Sequence, residues 1–289
     1  MNTRITEPGL VFDMSDETYH ADPVAGGSMS STFARLLTEH VPAKAEARRK
    51  NRKPTKAMDL GKAAHARALG AGPKLIVWEH DGRTKAGKAE RLEAAPMLAT
   101  EAAVAVTEAE YHRIVGMGVA LRAEPEVAAI LDTCQAEVSG FWSEDGTWMR
   151  ARFDLLRSDL SWDYKTTEDA SRRGFQKAMA SFGYHQQAEF YGRGLSALGH
   201  DAGSRPMRFI CQEKEAPYLV QIHSPDEDAM AVATELNDRA IGIYAAAKAS
   251  GTWPGYATLH AEETPLPTYY FYAHEDVLDY NPHQEMEMS

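Results

Sequence analysis

Asp154 and Asp163 lie nine residues apart, and Lys165 follows two residues after the second acid, within Arg152-Phe153-Asp154 and Trp162-Asp163-Tyr164-Lys165-Thr166-Thr167. Two carboxylates on adjoining strands can hold Mg²⁺, a hard ion that takes oxygen ligands and keeps several of its waters. A metal held there polarises a phosphate and lowers the pKa of a bound water. An ammonium beside the acids stabilises developing charge or orients that water. If the two segments pair as a hairpin, Asp163 and Lys165 share one face and Tyr164 points away, leaving its carbonyl available to a metal. The bare pattern also fits an ion pair exposed across a hairpin.

Other residues can join this group. His65, in Gly61-Lys62-Ala63-Ala64-His65, sits in an alanine-rich helical stretch and can offer a neutral imidazole nitrogen to a metal. Gln187 and Tyr191 are four apart and therefore on one helix face, with Tyr184 three before Gln187. That face can hold a phosphate backbone or a flipped-in terminal nucleotide, or it can be a helix side buried by aromatics. Glu137, on the strand before Asp154, can point into the site as a supporting residue or out to water.

These residues need elements to position them. Segments 136–142, 148–156 and 160–166 alternate in strand fashion and are joined by turn residues at Asp145-Gly146 and Ser158-Asp159, which reads as an antiparallel meander. A helical region follows over 171–198, interrupted at Gly183. Strands are expected at 206–213 and 217–222, then a long amphipathic helix over 226–248. Upstream, Ser28 or Ser30 caps a helix through Phe33 and Leu37, and a helix runs from Ala57 to Leu69. Thr107-x-x-Glu110 is a capping-box signature, and Pro125 opens a short helix. Leu75 to Trp78 reads as a strand. Residues 1–27 read as irregular, 81–88 as a mobile basic loop, and the tail from Trp253 as aperiodic.

Composition narrows the classes. The 289 residues carry a net charge of −11, which at first sight argues against a nucleic-acid binder. Distribution matters more than the total. Arg48, Arg49, Arg52 and Lys53 belong to a basic strip over 44–67, and Arg83, Lys85 and Lys88 crowd the 81–88 segment. Both are candidate DNA contacts, and the strip is equally a solvated helix face. Cys134 and Cys211 are far apart and form no CxxC, which excludes a zinc ribbon, a four-cysteine cluster and a disulfide framework. There is no secretory signal and no run near the ~18 apolar residues of a membrane span, so a cytoplasmic, reduced protein is expected. No GxxxxGK[ST], GxSxG or HExxH is present.

Together these residues resemble the PD-(D/E)XK nuclease superfamily, in its RecB-like branch, and are most similar to the RecE (exonuclease VIII) C-terminal nuclease family. The likeness rests on Gly61 to His65 as GxxxH, Arg152-Phe153-Asp154, Asp163-Tyr164-Lys165-Thr166, and Gln187 to Tyr191 as QxxxY. It extends to Met29-Ser30-Ser31, Thr84 to Lys88, Tyr184 to Gln187 and Trp253 to Tyr256. RecE itself carries a long N-terminal extension absent from this sequence. The resemblance implies an α/β fold, a restriction-endonuclease-like core with a central mixed sheet flanked by helices. It implies one nuclease domain over 1–289: an N-terminal helical and basic segment 1–56, a core 57–250 with a helical insertion, and a tail 251–289.

It further implies that His65, Asp154, Asp163 and the Tyr164 carbonyl bind Mg²⁺, with Mn²⁺ as a substitute. Lys165 would then be the catalytic lysine, and Gln187 and Tyr191 would organise the site and contact DNA. The implied activity is ATP-independent 5′→3′ digestion of one strand of linear double-stranded DNA, leaving 3′ overhangs for a RecT-like single-strand annealing protein. A homo-oligomeric ring and a phage or prophage origin in a bacterial host go with the family. The alternatives are a RecB-like endonuclease, whose usual four cysteines this chain lacks, and a non-catalytic DNA-binding or interaction module.

Overall fold

The computed structural model describes residues 4–51, 56–70, 72–99, 103–158, 160–200, 203, 207–257 and 263–274. The first elements are β1 (Gly9–Val11), α1 (Asp16–His20), β2 (Met29–Ser30), α2 (Ser31–Glu39), α3 (Pro42–Lys50) and α4 (Lys56–Leu69). Then come β3 (Lys74–Val77), α5 (Lys85–Ala99), β4 (Ala103–Val106), α6 (Glu108–Ala123) and α7 (Pro125–Thr133). The second half comprises β5 (Gln135–Glu144), β6 (Thr147–Arg157), β7 (Leu160–Thr167), α8 (Arg172–Phe182), α9 (Tyr184–Ala197), β8 (Met207–Glu213), β9 (Val220–His223), α10 (Glu227–Ser250) and α11 (Thr268–Tyr272).

Local chemistry sets many of these boundaries. The Ser30 hydroxyl accepts from the Phe33 N–H and starts α2. Thr107 and Glu110 close a reciprocal capping box on α6. Asp145 and Gly146 both take positive φ, the geometry of a tight hairpin between β5 and β6. Gly183, at φ +68, ends α8 and starts α9, so the expected interruption is a left-handed junction.

One sheet has the order β1-β5-β6-β7-β8-β9, with β2 parallel to β6. Strands β5, β6 and β7 form the antiparallel meander, while β7 and β8 run parallel. The mixed sheet expected from the sequence is therefore present. One face packs on α2, α9 and α10 through Phe33, Leu37, Phe153, Phe190, Phe209 and Tyr244. The other packs on α4, α6 and α7 through Ala64, Met117, Leu121, Ile130, Trp162 and Tyr164. Burying each such large apolar side chain contributes about 2–3 kcal/mol. Gly194 lets α9 approach β5 closely: a Cβ there would stand 2.7 Å from the Trp142 ring.

Three expectations are corrected. Residues 1–27 are not irregular throughout: β1 pairs with β5, and α1 is capped by Ser15. The 81–88 segment is not wholly a loop, because the Thr84 hydroxyl accepts from the Gly87 N–H and α5 begins at Lys85. Turn-forming residues there serve as a helix cap. The helix α5 joins β3 to the parallel β4. The tail contains α11.

The chain divides into two compact units, Met1–Gly255 and Tyr256–Ser289. The first carries the sheet. In the second, Tyr269, Tyr270, Phe271 and Tyr272 of α11 are exposed. Among the described residues, no helix is long and apolar enough to cross a membrane.

Candidate active site

The sheet opens at Asp154. The β6–β7 ladder runs from Arg157 opposite Leu160 to Leu155 opposite Trp162. At the next step the Asp154 carboxylate intervenes, and its Oδ2 accepts from the Tyr164 N–H at 2.9 Å. On the other side, β5 and β6 pair at Ala136–Leu155 and Val138–Phe153, with Glu137 between them at φ +57. A non-glycine residue held there costs on the order of 1–2 kcal/mol, a kind of strain that clusters at functional sites.

The two displaced carboxylates meet His65 of α4. His65 Nε2 lies 2.9 Å from Asp154 Oδ2, and Nδ1 lies 3.4 Å from Glu137 Oε1. One ligand atom from each of the three residues falls within 4.8 Å of the others. Arg152 fixes Glu137 from behind, donating from Nε to Oε2 at 2.5 Å while its Nη1 donates to the Met14 carbonyl.

Asp163 is braced differently. It is 2% exposed. Lys165 Nζ lies 2.6 Å from its Oδ2, and Gln187 Nε2 donates to its Oδ1 at 2.5 Å. The ammonium also stands 5.1 Å from the centre of the Tyr184 ring, in cation–π range. Tyr164 turns its phenol to the opposite side of the sheet, where it donates to Gln212 at 2.6 Å. Tyr191 is buried edge-on against Phe153 at 5.1 Å, and the Arg152 backbone hydrogen-bonds its hydroxyl. Gln187 thus reaches an acid of the site, whereas Tyr191 supports the strand that carries the other.

These contacts push the titrations apart. Burial opposes the His65 cation, but the charges of Asp154 and Glu137 outweigh it and raise its pKa to about 9. Burial alone would raise Asp154, yet His65, Lys165 and the Tyr164 N–H bring it below the usual carboxylate range. Asp163 is raised, first by burial and then by the charge of Asp154, against the pull of Lys165 and Gln187. Lys165 is held firmly protonated, because the two aspartates outweigh the burial that disfavours its charge.

The basic candidates are dispersed. Arg49 donates through Nε and Nη2 to Glu46 at 2.7 and 2.8 Å and lies 5.1 Å over the Phe33 ring. Arg48 hydrogen-bonds His40. Arg52 and Lys53 lie outside the described residues. Arg83, Lys85 and Lys88 are exposed at the start of α5.

Sequence reasoning gave Glu137 a supporting place and left Arg152 as a letter in a motif. A signal was available: eight residues back from Asp145 and eight forward from Gly146 lie Glu137 and Asp154, so the hairpin turn sets them opposite each other. The positive φ of Glu137 had no such signal.

One imidazole nitrogen and two carboxylate oxygens form a donor set that suits a divalent ion such as Mg²⁺ or Mn²⁺. The residues present therefore fit a metal. His65 must lose its proton before its nitrogen can serve as a ligand.

Comparison with known proteins bears on the family and the fold. Residues 29–262 match the family described as a PDDEXK-like domain of unknown function, DUF3799. A crystal structure from Eubacterium rectale, described as "Putative exonuclease", aligns with a TM-score of 0.59 at 10% identity, covering 91% of this chain and 99% of that one. This likeness shows a shared fold. A second solved structure, SSO0001, aligns at a TM-score of only 0.26, with 15% identity over 66% of this chain and 87% of that one. No curated protein matches. The family match spans most of the sequence, and the Asp-x-Lys strand lies beside an acid and a histidine at the opening of a mixed sheet: the chain belongs to the PDDEXK-like domain family DUF3799.

Proposed function

We propose that this protein is a Mg²⁺-dependent exodeoxyribonuclease that degrades linear double-stranded DNA 5′→3′ without ATP, leaving 3′ overhangs. The observation that carries the reading is the junction of the His65–Glu137–Asp154 cluster with the Asp163–Lys165 pair, across the break in the β6–β7 ladder. His65, Glu137 and Asp154 would hold the ion, with the Tyr164 carbonyl as the further ligand that the family likeness implies; Asp163, which the same likeness counts as a ligand, is engaged by Lys165 and Gln187 and would position the lysine instead. When bound, the metal supplies Lewis acidity toward a phosphate oxygen and an acidified water. The chain's own residues do the rest. Lys165 keeps its proton and presents Nζ as a fixed positive charge to a phosphate oxygen. Gln187 holds the Asp163 carboxylate against rotation. Arg152 and Tyr191 keep β6 and Glu137 in place.

The exposed cations at the start of α5, together with Arg48, Arg49, Arg52 and Lys53, are the proposed DNA contacts. A single-strand annealing protein as partner and a closed ring of identical subunits complete the reading. A ring would explain processivity by enclosing the DNA, so that an acidic body needs only a basic channel.

The test is digestion of linear duplex DNA labelled at either end, with Mg²⁺ and without ATP. Nucleotide release from the 5′ ends alone, lost in Lys165→Ala, is the expected result. Cutting of closed circular DNA would move the assignment to an endonuclease. Tight duplex binding with no metal-dependent cleavage would move it to a non-catalytic binding module.

A further inference from the structure

The turn between α8 and α9 holds an aromatic surface that the proposed chemistry does not use. Phe182 is the last residue of α8 and is 58% exposed. Its ring is near-parallel to that of Tyr184, with centroids 5.7 Å apart and planes at 27°. Tyr184 is in turn fixed by near-parallel contacts with Phe209 at 5.3 Å and Phe175 at 6.1 Å. The same Tyr184 ring lies 5.1 Å from Lys165 Nζ. Phe182 is therefore one ring removed from the lysine that pairs with Asp163.

The left-handed Gly183 between the two aromatics sets this geometry. A Cβ on Gly183 would stand 2.6 Å from Arg35 Cδ, so the Arg35 side chain is packed tightly along the turn. Its Nη1 donates to the Ser181 carbonyl at 3.4 Å and lies 3.4 Å from Glu39 Oε1, so the guanidinium is paired with an acid of its own helix. The turn thus combines an exposed, rigidly backed ring with a guanidinium, beside a candidate phosphodiester site. Sequence-tolerant binding of unpaired nucleotides uses the same chemistry: a base stacks on an aromatic face while a cation accompanies the backbone.

We propose that the Phe182–Tyr184 stack is a platform for one unpaired base of the nucleotide next to the phosphate held at Lys165. The assignment rests on the nuclease reading and adds to it the requirement that the terminal base pair opens and that its base, not only its phosphate, is bound.

The test measures binding by fluorescence anisotropy in Ca²⁺, with duplexes whose terminal nucleotides on one strand are either natural or abasic. Phe182→Ala is expected to weaken binding of the natural end roughly tenfold and to leave binding of the abasic end unchanged, with Phe182→Trp restoring the natural affinity. Equal losses on the two ends, or no loss on either, would overturn the platform. Cleavage by the unaltered protein in Mg²⁺ is scored separately. Its absence counts against the nuclease reading, while the anisotropy comparison still decides whether the platform binds a base.

Discussion

Asp154 and Asp163 are the same residue type on adjacent strands, and the fold places them in opposite states. Asp154 shares its charge with His65 and with the Tyr164 N–H, in a cluster that also contains Glu137. Asp163 is nearly sealed off and neutralised from within by Lys165, with Gln187 on its other oxygen. One acid titrates below its ordinary range and the other above it. Pairs of titratable groups pushed apart in this way usually divide a task. Here the division is between a group that holds a cation and a group that positions the lysine.

The largest expected effects test that division. Lys165→Ala, Asp154→Asn and Asp163→Asn should each lower single-turnover cleavage on the order of 10³-fold. Metal affinity should separate the two acids. Asp154→Asn is expected to weaken Mn²⁺ binding by calorimetry far more than Asp163→Asn. An equal loss would mean that Asp163 leaves Lys165 to join the ion, so that the two acids share one role.

Glu137 sharpens the comparison next. Glu137→Asn keeps a residue type that tolerates positive φ but shortens the side chain away from the cluster. Metal affinity should fall by more than about 10- to 100-fold, the loss typical of groups that only support a ligand, while the urea midpoint holds or rises. A protein that loses stability along with affinity would show that the Arg152 contact outweighs the backbone strain. Gln187→Leu should cost about 1–3 kcal/mol in urea unfolding, by leaving an Asp163 oxygen buried without its donor.

The smallest effect is on pH. His65 is raised to about 9 in the folded protein, above its ordinary 6.5. Its contribution to stability is therefore fully present below pH 6.5 and is lost as pH rises through about 9. Metal-free protein should melt about 3 °C lower at the top of this window than at the bottom, and Asp154→Asn should flatten the difference. Added Mn²⁺ should reverse the trend, because the metal competes with a proton at the imidazole.

The parts of the molecule legible in the sequence are those fixed by local chemistry. The meander showed in its alternation and in Asp145-Gly146, the α6 cap in Thr107 and Glu110, and the α8–α9 break in Gly183. The spacing of Asp163 and Lys165 was readable because strand alternation alone puts them on one face, whereas Asp154 stands where alternation breaks, with Phe153 in one core and Leu155 in the other. The start of α5 was hidden because Thr84 and its neighbours belong both to turns and to helix caps. The turn of Glu137 toward His65 was hidden because it depends on a positive φ and on two ladders breaking at the same step. Arg49, counted in a basic strip, lies against Phe33 and Glu46, a packing that a charge count cannot register.

The hydrogen bond from the Tyr164 amide to Asp154 makes one backbone proton a natural reporter. In an isotope-labelled sample, that amide resonance would shift when the Asp154 carboxylate takes up a proton or a cation. Its solvent exchange would speed up if the strands parted further. The occupancy of the site can thus be followed by spectroscopy at a single peptide group, without substrate and without altering any side chain.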